Sequence, residues 1–523
     1  MYKRLDGTLA RDGWDTLFIG SGPGSLTCAA VLARAGQRVI VLEKHYEAGG
    51  FSHTFRRKGF EWDVGVHYIG GVHREGSVER RAFDYISERR LEWAYMDSPY
   101  DRAIIDGKTY DFVPGSEEQI AKWIGYFPGE EDAIRKYWAL VRECASSSQS
   151  FFADRAVPPL VSTVAGPFMR RKFQRFADQT TYEVLRGLTA NETLITMLCA
   201  QCGDYGLPPN ASSFAIHAMV VNHYRGGGNY PVGGAAQIAH SIVETIERRG
   251  GAVVLRAGVE EILLESGKAV GVRLEDGQEL RARNIVSGAG VRNTCTRLLP
   301  PDARVPNASA EDLKQVKPSL GHLCLYVGLE RSDAALDLPK FNYWCYDPYV
   351  GDGTPGGRVP TAYISFSSAK DPAWPERHPG KATIQCIGPA HFAEFAPWAD
   401  LRWRKRGEEY EAVKDAFQER MLDTLFRLHP ECRGHVAWAE VSTPLSTAHF
   451  ANYASGEIYG LEHTPARFRL KWLRPRTPIP RLYLTGQDIC TAGVAGALMS
   501  GLMTASAMLG KNMIAEIMKG AAP

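Results

Sequence analysis

The clearest pattern of apolar and polar segments in the chain lies near its N-terminus. An apolar run at residues 15–19 meets a turn with three glycines, and an Ala- and Leu-rich segment with helical periodicity then ends at Gly36. A second apolar run, at residues 39–42, ends in Glu43. Because a strand buried on both faces appears as a continuous apolar run, the pattern predicts a strand, a helix and a second, parallel strand.

From residue 76 to about residue 224 the pattern changes to helical segments that Pro and Gly interrupt. Apolar residues recur there at spacings of three and four, which predicts helices at 117–127, 130–144, 181–199 and 212–223. We expect this helical block, inserted between two parts of the domain that contains the first sheet, to form a cap.

The following segment predicts a return to the first sheet. A helix that ends near Arg249 precedes strands near residues 252–256 and 259–264. Turn dipeptides at 266–267 (Ser-Gly) and 276–277 (Asp-Gly) then predict a three-stranded meander. The run at 284–290 predicts a strand that goes back into the parallel sheet.

Residues 300–477 predict a mixed, strand-rich segment with strands at 321–329, 361–367, 382–387 and 435–441 and a long helix at 403–428. A last strand at 481–488 leads into a helix that begins at Gly493. The uncharged stretch 489–510 has the length of a membrane span, but it is rich in Gly, Ala, Ser and Thr and ends at Lys511. We therefore expect a buried helix packed against a cofactor.

The glycine turn of the N-terminal unit carries the pattern of a dinucleotide-binding site. Gly20 allows the tight turn, Gly22 lets the backbone approach a pyrophosphate, and the helix that follows offers unpaired N–H groups to the phosphates. After Gly24, Ser25 stands where the pattern has its third glycine. Glu43 is placed to bond both hydroxyls of a ribose, and its charge repels a 2′-phosphate, so the pattern favours FAD or NAD over NADP.

The residues after Glu43 narrow this choice. Lys44, the pair Gly49-Gly50 and the segment 63–67, Asp-Val-Gly-Val-His, continue the pattern. This continuation resembles the flavoprotein amine oxidase and phytoene desaturase superfamily, in which the second glycine turn lies under the pyrophosphate and flavin of FAD. The resemblance implies FAD as the cofactor, and it implies that the backbone of Val259 meets the adenine.

The end of the chain supplies the second part of such a site. The last predicted strand contains Gly486 and ends in Asp488, and the final helix opens with Gly493 and Val494. We expect Asp488 to accept from the ribityl chain or to bond near the diphosphate. The dipole of the helix stabilises negative charge on the reduced flavin ring.

Composition excludes several other classes of protein. A chain of 523 residues is too long for one core, so at least two domains are expected. Lys and Arg total 61 against 59 Asp and Glu, which gives no electrostatic basis for nucleic-acid binding. The one CxxC pair, Cys199 and Cys202, is expected to be two buried residues rather than metal ligands. The segment before Asp15 has no apolar core of a signal peptide, and we expect a cytoplasmic protein.

Several further motifs share one resemblance. They are Gly65-Val-His-Tyr-Ile-Gly70, Gln201-Cys-Gly-Asp-Tyr-Gly-Leu-Pro-Pro209, His217-Ala-Met-Val, Tyr230-Pro-Val-Gly-Gly234, Ser442-Thr-Pro-Leu, Tyr459-Gly-Leu-Glu-His463 and Leu484-Thr-Gly-Gln-Asp488. Together they resemble the retinol saturase branch of the carotenoid desaturase and isomerase superfamily, with departures at Ser25 and at Phe51-Ser52. The resemblance implies FAD-dependent saturation of one double bond in a long apolar polyene of the retinoid or carotenoid kind.

The predicted fold class is therefore α/β, with a Rossmann-type FAD-binding domain and an inserted mixed α+β substrate domain. We predict the FAD-binding domain at residues 1–75, 230–300 and 478–523. The substrate-binding domain is predicted at 76–229 and 301–477.

Saturation of a double bond needs a hydride at one carbon and a proton at its neighbour. An apolar tunnel offers few polar groups for that proton, and ordered water is one further source. The candidate residues are His67 and Tyr68 after the second glycine turn, Asp204 and Tyr205 in Gly-Asp-Tyr-Gly, and His223, Tyr224 and Tyr230 ahead of Pro-Val-Gly-Gly. Each alone is also consistent with a hydrogen-bonded core residue, and we expect at least one of them to touch the substrate.

Two other functions stay open at this stage. The same scaffold supports carotenoid desaturation or cis/trans isomerisation. It also supports a flavin-free carrier of lipids or prenyl groups, in the manner of GDP dissociation inhibitors, although the intact glycines argue against a carrier. An amine oxidase is a third reading, but no feature requires an amine site.

The electron donor and the location are also expectations. The sequence has no second dinucleotide fingerprint, because Gly288-Ala-Gly290 lacks a following acidic residue at the right spacing. Electrons must then come from NAD(P)H that docks transiently, from a protein donor or from a quinone. Residues 168–176 alternate Phe with Arg and Lys, which predicts either a peripheral membrane contact or a basic face with its phenylalanines in the core.

Overall fold

In the computed structural model, which describes residues 13–303, 310–348 and 353–520, the N-terminal apolar runs lie at the centre of a seven-stranded sheet. Its strands, in spatial order, are Ala252–Leu255, Val39–Glu43, Trp14–Ile19, Glu279–Ser287, Lys268–Leu274 and Val259–Glu265, with Leu482–Leu484 also paired to Glu279–Ser287. The pairings are parallel except for the two within the meander. Strand Glu279–Ser287 thus both closes the meander and re-enters the parallel sheet, and both predictions are confirmed.

Three helices from distant parts of the sequence pack together on one face of this sheet: Pro23–Arg34, Ala236–Arg248 and Gly493–Leu509. Helices Val78–Ser87 and Met513–Met518 complete the layer. Small residues allow the first and last helices to approach closely, since a Cβ added at Gly501 would lie 2.5 Å from the carbonyl oxygen of Gly24. Helix Gly493–Leu509 is buried over most of its length, as predicted. In the part of the chain that the structure describes, no helix has the length and apolar character that a membrane crossing requires.

A second seven-stranded sheet lies across from the first. Its strands, in spatial order, are Val436–Ser442, Gly321–Leu329, Ala382–Ala390, Ala362–Ser365, Asn342–Cys345, Asp101–Ile105 and Lys108–Phe112. The long helix Glu408–Leu428 packs against this sheet. The four strands and the helix predicted between residues 300 and 477 are confirmed.

The expectation of an entirely helical block between residues 76 and 224 was wrong. The hairpin Asp101–Ile105 and Lys108–Phe112 adds two strands to the second sheet, and Trp93–Tyr95 joins a small third sheet with Ile69–Gly70 and Gly228–Pro231. The dipeptide Asp106-Gly107 between two short alternating runs is a hairpin signal that the helical periodicity around it obscured.

The remaining part of this block is helical. Its helices are Ser116–Tyr126, Glu131–Ala156, Pro159–Ala177, Thr181–Arg186, Glu192–Leu198 and Phe214–Tyr224. One helix had been predicted at 181–199, and the structure divides it, because Asn191 caps a new helix by accepting from the backbone N–H of Leu194 at 3.1 Å. The core of this block is rich in aromatic side chains, including Trp123, Tyr137 and Phe173.

Short elements connect the two large sheets. The hairpin Thr54–Arg57 and Phe60–Asp63 follows the second glycine turn and packs against the second sheet, where the indole N–H of Trp62 donates to the carbonyl oxygen of Val327 at 3.1 Å. The other short helices are Val291–Asn293, Ala310–Gln315, Ser367–Lys370, Trp374–Arg377, Phe392–Phe395, Pro444–Ala451 and Pro465–Arg469.

Cys199 and Cys202 are buried and free, as expected for a structural pair. Among the described residues no cluster of His, Cys, Asp or Glu is arranged to hold a metal ion. The first twelve residues, to which the analysis of targeting signals applied, lie outside the described part, as do the last three. The domain boundaries given above stay a prediction.

Candidate active site

A cavity of about 440 Å³ lies between the two large sheets. On one side it is lined by the residues at which parallel strands of the first sheet end, among them Ile19, Glu43 and Gly486. On the other side it is lined by aromatic residues of the second sheet, among them Tyr326, Trp344 and Tyr363. The carboxyl ends of parallel strands are the usual place for a ligand in an α/β fold.

The glycine turn forms the inner end of this lining. Gly20, Gly22, Gly24 and Ser25 all border the cavity, and Gly20 has a φ of 86° that favours glycine. Gly22 precedes the first turn of helix Pro23–Arg34, and a Cβ added there would meet no atom within 4 Å. Open space beside the N–H groups of a helix N-terminus suits a pyrophosphate.

The second glycine turn packs onto the first. Gly49 and Gly50 have φ values of 117° and 54°, and a Cβ added at Gly50 would lie 3.2 Å from the Cα of Gly22. The backbone N–H of Gly49 donates to the Oγ of Ser21 at 3.0 Å. Gly50 borders the cavity, whereas Gly49 lies behind it and positions the turn.

Glu43 is held rigidly at the end of its strand. Its carboxylate accepts from the backbone N–H and the hydroxyl of Ser21 at 2.8 and 2.6 Å and from the backbone N–H of His45 at 2.8 Å. Lys44 borders the cavity and pairs at the surface with Glu275 at 2.7 Å. Val259, the first residue of strand Val259–Glu265, lines the same end of the cavity. These positions agree with the adenosine end that the sequence implied.

Ser25 replaces the third glycine of the fingerprint, and the structure explains why it is tolerated. Its hydroxyl faces Gly288, where an added Cβ would lie 2.1 Å from the Ser25 Oγ. In this contact the helix therefore carries the side chain, Ser25. The residue without a side chain is Gly288, which directly follows strand Glu279–Ser287.

We expect Gly288→Ala to destabilise the protein by about 1–3 kcal/mol, since an inserted methyl group overpacks this contact. The double variant Ser25→Gly with Gly288→Ala should regain most of that free energy of unfolding. Chemical denaturation of both variants measures the effect, and Gly76→Ala is the control because a Cβ at Gly76 meets nothing within 4 Å. Equal destabilisation of the single and double variants would contradict the paired contact.

The chain end contributes Gly486, Gly493 and Val494 to the cavity lining. Asp488 lies behind this lining and does not border the cavity. Its carboxylate accepts from the backbone N–H groups of Val291 and Leu461, both at 2.8 Å. The structure thus gives Asp488 the position of a brace between three chain segments rather than of a direct ligand.

Sequence reasoning missed Arg467, which holds the same loop from the other side. Arg467 is buried, and its guanidinium donates to the carbonyl oxygens of Gln487 at 2.7 Å and Asp488 at 3.1 Å. Burial lowers the pKa of Arg467 to about 10, which leaves it charged near neutral pH. No spacing in the sequence pointed to this arginine, because its partners are backbone atoms.

Two of the seven candidate catalytic residues, His67 and Asp204, border the cavity. The other five lie around it. Tyr68 and Tyr224 stack with ring centroids 4.2 Å apart, and Tyr205 bonds the Nδ1 of His217 at 3.2 Å. The Nε2 of His223 accepts from the backbone N–H of Gly70 at 2.8 Å, and the Tyr230 hydroxyl donates to Asp63 at 2.5 Å. These contacts give the five residues supporting positions in the cavity wall.

Several residues that line the cavity carry a buried polar atom. The Nδ1 of His67, the Nδ1 of His322 and the hydroxyl of Tyr363 are buried and have no hydrogen-bond partner among the described residues. Burial lowers the pKa of His67 to about 3 and that of His322 to about 4, so both imidazoles are neutral near pH 7. Burial and the charge of Asp101 raise the pKa of Asp204 well above its usual range.

The arrangement fits FAD. Gly20 to Ser25 and Gly50 leave room for the pyrophosphate, and Glu43, Lys44 and Val259 stand where the adenosine is expected. Gly486, Gly493 and Val494 border the opposite part of the cavity. Beyond them the wall is largely apolar, with aromatic and aliphatic side chains, as a site for an apolar ligand requires.

This fold and this cavity define an FAD-dependent oxidoreductase. The model of the family described as flavin containing amine oxidoreductase matches residues 26–509. The human protein named all-trans-retinol 13,14-reductase is 37% identical over 96% of this chain and 87% of its own length. The chain therefore belongs to the flavin-containing amine oxidoreductase family, in the branch of the all-trans-retinol 13,14-reductases. The predicted family, fold class and type of enzyme are confirmed.

Two further proteins are more distantly similar to this chain. The prolycopene isomerase 1 of an Oncidium hybrid cultivar is 26% identical over 94% of this chain and 83% of its own length. The crystal structure of a putrescine oxidase bound to putrescine has a TM-score of 0.65 and 14% identity, and the match covers 96% of this chain and all of that one. The likeness to the putrescine oxidase shows the shared fold alone.

Proposed function

We propose that this enzyme saturates one double bond of a long apolar polyene of the retinoid or carotenoid kind. The observation that carries the proposal is the cavity, which joins a dinucleotide cradle to a largely apolar pocket lined by aromatic and aliphatic side chains. The similarity to the human reductase over nearly the whole chain supports the same reaction. When bound and reduced by an external donor, the flavin would supply the hydride, and the protein must supply the proton.

Asp204 is the residue we assign as proton donor. His67 borders the same cavity, but its imidazole is neutral near pH 7 and is therefore a very weak acid. Asp204 is a carboxyl group whose pKa is raised by burial and by Asp101, so it retains a proton under conditions in which an exposed aspartate has lost it. Its carboxyl group is fixed by the hydroxyl of Tyr68 at 3.0 Å.

His67, His322 and Tyr363 orient the substrate in this proposal. Each has a buried polar atom without a partner among the described residues, and each borders the cavity. Lys370 fixes the backbone at His67, because its ammonium group donates to the carbonyl oxygen of His67 at 3.1 Å. Trp344, with its ring centroid 4.4 Å from that of Tyr363, excludes water from the same wall.

The proposal is tested by anaerobic incubation of the reduced holoenzyme with retinol and, separately, with a carotene. Chromatography with mass detection should show a product that has gained two hydrogens. A product of unchanged mass would instead support a cis/trans isomerase, which the similarity to prolycopene isomerase makes the second candidate. The donor of electrons is proposed to be external to the chain, and reduction of the flavin by NADH or NADPH under the same conditions tests a nicotinamide donor.

We also propose that the helix Pro159–Ala177 contacts a membrane from which the polyene is taken. Leu160, Val164 and Phe168 recur at a spacing of four and are 79%, 72% and 82% exposed. The exposed Arg171 and Lys172 follow on the same helix and suit anionic headgroups. Phe173 and Phe176 are buried, so only the first phenylalanine of the predicted basic segment faces outward.

Replacing Leu160, Val164 and Phe168 together by Ser should lower cosedimentation with anionic vesicles at least tenfold. Each large apolar side chain removed from water contributes about 1.5–3 kcal/mol, and 1.4 kcal/mol corresponds to a factor of ten. Val413→Ser, an exposed position on helix Glu408–Leu428, is the matched control and should leave binding unchanged. Unaltered cosedimentation of the triple variant would remove the membrane contact.

A further inference from the structure

Two carboxyl groups share one phenol at the cavity wall: Asp101, which is buried, and Asp204, which is half-buried and borders the cavity. The hydroxyl oxygen of Tyr68 lies 2.8 Å from the Oδ2 of Asp101 and 3.0 Å from the Oδ2 of Asp204. A phenol has one proton to donate, and an ionised carboxylate can only accept. Both contacts are hydrogen bonds only when one of the two carboxyl groups is protonated and donates to the Tyr68 oxygen.

The other contacts decide which of the two holds the proton. Asp101 accepts from the side-chain amides of Asn342 and Gln201, both at 2.8 Å, and from the indole N–H of Trp344 at 3.1 Å. Four donors around one carboxyl group favour its ionised form. Among the described residues, the carboxyl group of Asp204 has one hydrogen-bond partner, the hydroxyl of Tyr68. The proton therefore sits on Asp204, which donates to Tyr68, and Tyr68 donates to Asp101.

The charges around Asp204 support this assignment. The titratable groups that face it are Asp101, the thiol of Cys202 and the tyrosines Tyr68, Tyr100, Tyr224, Tyr363 and Tyr459. Burial raises the pKa of each of these thiol and phenol groups, so they are neutral near pH 7. Burial also raises the pKa of Asp101, but only to about 6, which leaves Asp101 as the negative charge that faces Asp204.

A buried lysine stabilises the charge on Asp101 from the far side. The ammonium group of Lys370 donates to the side-chain oxygen of Asn342, and the amide of the same Asn342 donates to Asp101. Lys370 also donates to the Oγ of Ser365 at 2.7 Å. The network thus joins Lys370 and Asp101 through one amide and leaves Asp204 as the neutral member at the cavity. Because burial lowers the pKa of Lys370 to about 7, the lysine is fully charged only below that pH.

We propose that Asp101 is a positioning residue for the reduction: through the Tyr68 hydroxyl it keeps Asp204 protonated and holds its carboxyl group at the edge of the cavity. The inference rests on the proposed function for its catalytic meaning. In the reaction the O–H group of Asp204 turns from Tyr68 to the substrate and transfers its proton to the carbon beside the one that receives the hydride. A new C–H bond forms as the O–H bond breaks, and Asp204 is left as a carboxylate. Asp204 then recovers a proton from water after the product leaves.

Infrared difference spectroscopy of the holoenzyme without substrate tests the assignment directly. The carbonyl band of a protonated carboxyl group should be present at pH 7 and absent in Asp204→Asn. In Asp101→Asn the band should be lost at a pH at least about one unit lower than in the wild type, because removal of a like charge lowers the pKa of Asp204. The alkaline limb of the pH–rate profile should move in the same direction.

Tyr68→Phe removes the hydroxyl group between Asp101 and Asp204 without removing a charge. It keeps the inference testable if Asp101→Asn does not fold. Its carbonyl band should shift in frequency, because the carboxyl group loses its acceptor, while Tyr205→Phe, whose hydroxyl bonds His217, should leave the band unmoved. A wild type without the Asp204 band, or a band that neither variant changes, would overturn the inference. The band is measured without substrate, so it tests the proton on Asp204 independently of the reaction. Failure of the wild type to reduce any polyene would contradict the proposed function but not this assignment.

Discussion

Replacing Asp204 by Asn is expected to lower the rate constant for double-bond reduction by about 10²–10⁴-fold, the usual contribution of a positioned acid. Asparagine keeps the shape of the side chain and its contact with Tyr68, but it has no carboxyl proton to give. FAD content and thermal stability should stay close to those of the wild type, because Asp204 borders the cavity beyond the dinucleotide cradle. Single-turnover reoxidation of the reduced flavin by the polyene measures the loss.

Asp415→Asn provides the matched control for this variant. Asp415 lies exposed on helix Glu408–Leu428, away from the cavity lining, and the same substitution there should leave the rate unchanged. If Asp204→Asn reduced the polyene at the wild-type rate, the proton would come from water or from another group, and the assignment of Asp204 would fall.

Gly22→Ala is expected to weaken the binding of FAD while the chain still folds. A Cβ at this position meets no protein atom within 4 Å, so the apoprotein has room for the methyl group. The same methyl group occupies the space beside the helix N-terminus that a pyrophosphate needs. Overpacking costs about 1–3 kcal/mol, which corresponds to roughly a 5–150-fold weaker affinity for FAD.

Gly24→Ala is the contrasting variant, because it is expected to destabilise the protein itself. A Cβ on Gly24 would lie 2.8 Å from the backbone nitrogen of Gly486 and 3.2 Å from the carbonyl oxygen of Ala497, so it separates the two halves of the cradle. This variant should lose stability even as the apoprotein. Equilibrium dialysis with FAD and thermal melts of both apoproteins separate the two effects. Unchanged FAD affinity in Gly22→Ala would show that the cofactor does not pass over this glycine.

Much of the first sheet could be predicted because its strands are buried on both faces and therefore appear as uninterrupted apolar runs. The hairpin turns at 266–267 and 276–277 carry glycine at the position where the chain needs it, and the structure has both. The hairpin at 101–112 was missed because its strands are only five residues long and alternate in a block with strong helical periodicity. The division of the helix at 181–199 depends on one capping residue, Asn191.

The sequence predicted the site residues at which a bound dinucleotide must come close to the backbone. Gly22 and Gly50 stand at the cavity because a dinucleotide requires close approach, and that requirement is visible in the sequence. Asp101 and Arg467 could not be found in this way, since their partners come from distant segments and only the tertiary fold brings them together. The seven candidate acids could not be separated by sequence either, because the direction of a side chain toward or behind a cavity wall is decided by packing.

The central claim is that a polyene accepts hydride directly in this cavity. Stopped-flow absorbance of the anaerobic, reduced holoenzyme mixed with all-trans-retinol tests it most directly. The account predicts that the absorbance of oxidised flavin returns in proportion to the retinoid consumed, and that Asp204→Asn slows this return. A flavin that stays reduced while the retinoid disappears or isomerises would contradict it.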